Sequence, residues 1–124
     1  MMKIQITSGK VMVQAELYDT PTAQAIAAAL PMTGHVNRWG GEIYFSIPVA
    51  VDLEADAREV LDAGELAFWP PGSAFCIFFG ATPASEGDEC RAASAVNVFG
   101  KVFDQLDPLW NVEHGAPITI ECHT

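Results

Sequence analysis

Basic residues are scarce in this chain. Six lysines and arginines face 16 aspartates and glutamates, a formal net charge of −10 over 124 residues. A surface of that sign repels phosphate backbones and anionic lipid, so neither nucleic acid nor a membrane surface is an expected partner. Cysteine is sparse too. Cys76, Cys90 and Cys122 are odd in number and widely spaced, which argues against a disulfide framework and for free thiols in a reducing cytoplasm. No apolar run approaches a membrane span. The opening "MMKIQITSGK" passes straight into alternating residues without the apolar core of a secretory signal, so the expected location is the cytoplasm. Phosphate-binding glycine loops of the types G-x-x-x-x-G-K-S/T and G-x-G-x-x-G do not occur, nor does a serine nucleophile elbow. Cys90 and the Cys122-His123 pair lack the spacing of a zinc site, so no metal and no cofactor are expected.

What the chain does have is apolar residues. Half of it is hydrophobic and only 18% is charged, which fits a single packed domain over residues 1–124. Lys3 to Thr7 and Lys10 to Leu17 alternate about a Ser8-Gly9 turn, the pattern of an antiparallel hairpin. In "YDTPTAQAIAAALP", Thr20 caps a helix that starts at Pro21, carries Ala23, Ile26, Ala27 and Leu30 on one stripe, and stops at Pro31.

Two extended runs flank Gly40-Gly41. In the second, Ile43, Phe45 and Ile47 share one face, and Glu42, Tyr44 and Ser46 the other. Residues 52–63 are charged and are expected to form a surface loop with a turn of helix. A strand over Glu65 to Trp69 ends at Pro70-Pro71-Gly72, where neither proline can donate to a ladder. Phe75 to Phe79 reads as a strand buried on both faces. After a polar loop, "ATPASEGDECRA", come a strand over Ala95 to Phe103 broken by Gly100, a short helix at Asp107-Pro108, and a last strand with Ile118 and Ile120 inward. The βαβ order is absent, so a mainly β, largely antiparallel closed barrel is expected, with two short helices capping its ends.

Two groups of motifs sharpen that expectation. "VNVFGKVFDQLDPLWNVEHGAPITIEC" is similar to the C-terminal part of cyclophilins. "NRWGGEIYFSIPV", "GELAFWPPGSAFCIFFGATPAS" and "ASAVNVFGKV", taken in order along nearly the whole chain, resemble a family of small prokaryotic cyclophilin-like proteins of uncertain function. The resemblance implies an eight-stranded barrel closed by two helices. In cyclophilins a proline binds in an apolar pocket on the outer face, beside an arginine from an F-H-R-I-I-P-G-F segment. Here Arg38 is the only arginine in the corresponding region, no F-H-R surrounds it, and Val96 stands where a cyclophilin carries a histidine. Arg38 is thus the one candidate catalytic residue, and the usual isomerase set is missing.

Trp39, Tyr44 and Trp69 are the candidate pocket aromatics, and Glu42 is a carboxylate placed to fix a polar group. The tryptophans serve equally as barrel plugs with satisfied indole N–H groups. Thr82, Ser94 and Asn97 lie in the family-like segments and are either ligand-binding groups or partners for loop backbone. The Pro-Pro-Gly corner is a rigid bend that also holds Trp69 at a pocket rim. Cys76 reads as a small core residue, and His35 and His114 as surface residues. The preferred reading is a binding module for a small molecule or peptide, with a homodimer as an option. The alternatives are a prolyl isomerase, or another enzyme with a non-standard site, and a protein-interaction subunit.

Overall fold

The hairpin forms as its alternation predicts. In the computed structural model, which describes residues 2–123, β1 (Lys3–Ser8) pairs antiparallel with β2 (Val11–Leu17) around Gly9. Gly9 takes φ +61, a conformation that L side chains avoid. Helix α1 (Pro21–Ala28) follows. Thr20 caps it by accepting the Ala23 N–H, and Ala23 and Ile26 bury its inner face. After it come β3 (Met32–His35), β4 (Asn37–Arg38), β5 (Glu42–Ser46), β6 (Arg58–Leu61), β7 (Glu65–Trp69), β8 (Ala74–Phe78), β9 (Cys90–Val102) and β10 (Pro117–Cys122). Single 3-10 turns occupy Pro70–Gly72 and Asp107–Asn111.

Ten strands form one antiparallel sheet in the order β3-β10-β1-β2-β9-β7-β8-β5-β4, with β6 added to β9 off that path. The expected closed eight-stranded barrel is therefore corrected, because the ladder does not return on itself. Its two end strands, β3 and β4, are consecutive pieces of one segment. That segment pairs with β10 before Val36 and with β5 after it. The chain itself spans the gap that a hydrogen-bonded ladder would close. The expected second helix is also corrected. Asp107–Asn111 is a five-residue 3-10 turn, leaving α1 as the one α-helix among the described residues.

The sheet curls around a single core. Ile4, Ile6, Val13, Leu17, Ile43, Phe45, Leu66, Phe68, Phe75, Ile77, Phe99, Ile118 and Ile120 meet there, all nearly fully buried. Phe45 stacks on Phe75 at 5.2 Å, and Phe75 meets Phe99 edge-on at 5.0 Å. Gly34 on β3 lies directly over the Phe45 ring, where an added Cβ would come within 2.7 Å. The two ends of the strand path thus pack together without sharing a ladder.

A second, smaller cluster sits on the outer face of β7 and β8. Leu61, Ala67, Ala74, Cys76, Phe78, Cys90, Ala92 and Val96 form it. Its cover is the stretch expected to be a charged loop. Residues Arg58–Leu61 are strand β6, paired with the first half of β9. The alternation was masked because three of the four residues, Arg58, Glu59 and Val60, face solvent and only Leu61 is buried. Strand β9 is longer than expected, starting at Cys90. It is not broken at Gly100, which pairs with both Leu66 and Leu17. Glycine stands there because the carbonyl of Glu16 occupies the space a Cβ would need. Gly100→Ala is expected to destabilise the protein by about 1–3 kcal/mol through this overlap. Urea unfolding midpoints at constant slope measure it, and an unchanged midpoint contradicts the close approach.

Candidate functional site

The outer face of β5, β8 and β7 is built in rows. In one, Tyr44, Cys76, Ala67 and Val98 stand side by side across four strands. In the next, Ser46, Ala74 and Trp69 stand side by side across three, and on the other side Glu42 faces Phe78. Period-two alternation sends Ile43, Phe45, Leu66 and Phe68 into the core, so their neighbours Glu42, Tyr44, Ala67 and Trp69 turn outward. The middle of this face is paved with small buried residues, Ala67, Ala74 and Cys76. Tyr44 and Trp69 are half-buried against it, on strands two spacings apart, roughly 10 Å.

The Pro-Pro-Gly corner fixes Trp69. Gly72 lies so close to the indole ring that a Cβ there would meet it at 3.0 Å. The corner leaves through Ser73 at φ 46, and Ser46 Oγ donates to the Gly72 carbonyl at 3.2 Å. The far side of the indole is held by β9. There the pairing with β6 slips, so that Ala92 to Ala95 stand opposite the single residue Glu59. This bulge brings exposed Ser94 to Trp69, whose Nε1–H donates to Ser94 Oγ at 2.7 Å.

Glu42 is the electrostatic oddity of the face. It is 5% exposed, and no cation pairs with it among the described residues. Burial pushes its carboxyl up to about 7, opposed by the Cys76 thiol within hydrogen-bonding reach. Burial and the neighbouring Glu42 in turn push the Cys76 thiol well above its ordinary range. The thiol donates to the Ala74 carbonyl at 3.7 Å, and the upward shift works against the thiolate that a nucleophile needs. Its place beside Glu42 was legible only once β8 was paired with β5.

The other sequence candidates lie elsewhere. Asn97 points to the opposite, inner side. Its Oδ1 accepts the Glu54 N–H at 2.8 Å, and its Nδ2 donates to the Asp52 carbonyl at 2.9 Å and to Thr22 Oγ1 at 3.1 Å. Thr22 passes its own N–H and hydroxyl to the Glu54 carboxylate. The buried Asn97 amide thus ties α1 and residues 52–54 to β9. Thr82 is also buried. Its hydroxyl donates to the Arg91 carbonyl and accepts from the Ala84 N–H, and its N–H donates to Ser85 Oγ. Trp39 sits in the β4–β5 turn, where its N–H donates to the Glu42 carbonyl at 3.0 Å. Arg38 spends both Nη atoms on backbone, while its buried Nε has no partner among the described residues. Nη1 donates to the carbonyl of Val112 at 2.6 Å and more weakly to that of Trp110, and Nη2 to that of Gly40 at 3.0 Å. Its carbon centre stands 5.4 Å from the Phe79 ring and 5.6 Å from the Trp110 ring.

This topology has relatives. The cyclophilin-like family model matches residues 2–121. The chain belongs to the cyclophilin-like family. The solution structure of a hypothetical protein from Archaeoglobus fulgidus is similar to this cyclophilin-like protein at 40% identity and a TM-score of 0.82, over 98% of this chain and 95% of that one. No curated protein matches the chain. Among the described residues of the cyclophilin-like protein, no three or more His, Cys, Asp or Glu converge as a metal ion would require. No described helix is long and apolar enough to cross a membrane.

The raised Glu42 sets a pH dependence. The folded state holds a proton that the unfolded chain releases near 4.5. This stabilisation is complete below that pH and is lost as pH rises through about 7. Between pH 5.5 and 8 the loss is on the order of 2 kcal/mol. In Glu42→Gln that portion of the slope should vanish. Denaturant unfolding of both proteins across the window measures the difference, and parallel curves contradict the assignment.

Proposed function

We propose that this cyclophilin-like protein is a binding module whose ligand, a small molecule or peptide, lies on the outer face between Tyr44 and Trp69. One observation carries the reading. Two half-buried aromatic side chains border a floor of small residues on one outward face, with a hydroxyl at one end and a carboxyl that titrates near neutrality at the other. Aromatics supply contact area at low entropic cost, and a few polar groups orient what they hold. Trp69 is already immobilised between Gly72 and Ser94, so little side-chain freedom is lost on binding. Glu42 suits a ligand N–H when ionised and a ligand carbonyl when protonated.

Isomerase chemistry is less well supported. It would need the Arg38 guanidinium aimed at a bound amide, whereas both Nη atoms engage carbonyls of the protein.

The test is a titration of metabolite pools and proline-containing peptides, following thermal stability and tryptophan fluorescence. At least one pool is expected to raise the melting temperature of the wild type, and Trp69→Ala should weaken that ligand about 30-fold, as for a buried aromatic anchor. The Arg38→Ala variant should leave prolyl isomerisation at the spontaneous rate shown by the wild type. Absence of any shift with every pool, or equal affinity in Trp69→Ala, overturns the proposal.

A further inference from the structure

A cleft of about 300 Å³ opens between the end of β2 and the first two turns of α1, away from the outer-face aromatics. Met2, Leu17, Ala23 and Ala27 supply its apolar lining, and Tyr18, Asp19 and Gln24 its polar lining. Its volume is at the lower end for small-molecule sites. No lysine or arginine lines it.

The one charged side chain among its lining residues is acidic. Asp19 is exposed, and one of its oxygens accepts from Gln24 Nε2 at 3.2 Å. The other has no protein partner among the described residues. The Tyr18 phenol is raised above its ordinary value, first by burial and then by Glu65, with Asp62 and Glu16 adding to it and Arg58 opposing. Arg58 is itself paired with Glu65 at 2.8 Å. Glu16 is the cross-strand neighbour of Lys3 and Lys101, and neither Asp19 nor Asp62 makes an ion pair among the described residues. The positive end of α1 is answered from another direction by Glu54, which accepts the Thr22 N–H.

From the lining and its charge we infer that this cleft is a second binding site, taking a small organic amine whose apolar body rests on Leu17, Ala23 and Ala27 and whose ammonium group meets Asp19. The Tyr18 ring adds an aromatic face for the cation. A carboxylate of the same shape is repelled, and a neutral alcohol lacks the charge contact. This site is independent of the outer-face reading, since the two share no residue.

Benzylamine, benzyl alcohol and benzoate are matched probes. Amide NMR spectra of the full chain are expected to show saturable shifts at Tyr18, Asp19, Gln24 and Ala27 with benzylamine, weaker ones with the alcohol, and none with benzoate. Asp19→Asn should weaken benzylamine roughly two- to fivefold, the range of a solvent-exposed ion pair, and leave the alcohol unchanged. Ala27→Phe should fill the cleft and remove both responses. Equal shifts with benzoate, shifts centred on Tyr44 and Trp69 instead, no saturable shift at all, or unchanged benzylamine affinity in Asp19→Asn would each overturn the inference.

Discussion

The alternation of β9 over Val96 to Phe99 is the constraint on which the rest of the structure hangs. This strand touches β2, β7 and β6, its register slips at Ala92–Ala95 and at Phe99, and between the slips its residues look alternately to the two sides of the sheet. Phe99 faces the main core, and Val96 and Val98 face the outer cluster. Asn97, on the inner side between them, holds α1 and residues 52–54 in place. A slip of one residue would turn Asn97 outward and drive Val96 and Val98 against the polar helix start. It would also move Gly100 away from the Glu16 carbonyl, the contact that only glycine permits. Register, helix docking and strand approach are therefore set together by one stretch of seven residues, Val96 to Val102.

The same strand makes the outer face unusual. An exposed sheet face would be polar, but here β6 and the bulged half of β9 cover part of it, and the covered strip becomes a second core. Two carboxylates are caught at its margins and are accommodated differently. Glu65 is buried but accepts from Arg58 at 2.8 Å and from the Asp62 N–H at 2.7 Å. Glu42, equally buried, has only a thiol beside it and shifts toward its neutral form instead. A glutamine or a leucine would cost less at that place. Retaining an unpaired acid there breaks a local rule of the kind that stable folds break at functional sites.

Much of this was legible from the chain, and the failures have physical causes. The hairpin, α1 with its Thr20 cap, the split of Ile43 and Phe45 from Glu42 and Tyr44, and the doubly buried β8 follow from short-range pattern alone. Strand β6 did not, because it is an edge segment with three solvent-facing residues and its partner lies some thirty residues on, across a bulge. Strand closure is not legible either, for a related reason. Pairing partners of β3 and β4 are fixed by contacts far away in sequence, at β10 and β5, and no local signal shows that one continuous segment serves both ends of the path. Of the candidate site residues, Glu42, Tyr44, Trp69 and Ser94 do come to one face. Asn97 and Thr82 carry side chains just as polar but are spent on backbone, a distinction set by strand parity and loop geometry. Cys76 was visible as a buried small residue, and its neighbour was not.

Family membership alone does not decide between binding and catalysis, because a fold carries no chemistry without a site. The decision rests on where flexible polar groups point. An arginine that polarises a substrate amide must present unspent N–H groups to a groove. Both Nη atoms of Arg38 are on carbonyls, and its one nitrogen without a partner among the described residues, Nε, is buried. The guanidinium faces are set against Phe79 and Trp110, Nη1 holds the carbonyls of Trp110 and Val112, and Nη2 holds that of Gly40. Phe79 and Trp110 meet edge-on at 4.8 Å, so the guanidinium fastens the 3-10 turn at Asp107–Asn111 to the β4–β5 turn. Freeing it for chemistry would unfasten that turn and uncover Phe79. The outer-face aromatics pack against the second cluster with fewer polar ties: Tyr44 shows no side-chain bond among the described residues, and the one indole bond of Trp69 goes to an exposed serine. Arg38 thus ties two turns of the fold together through its side chain, whereas the Tyr44 hydroxyl bonds to nothing among the described residues.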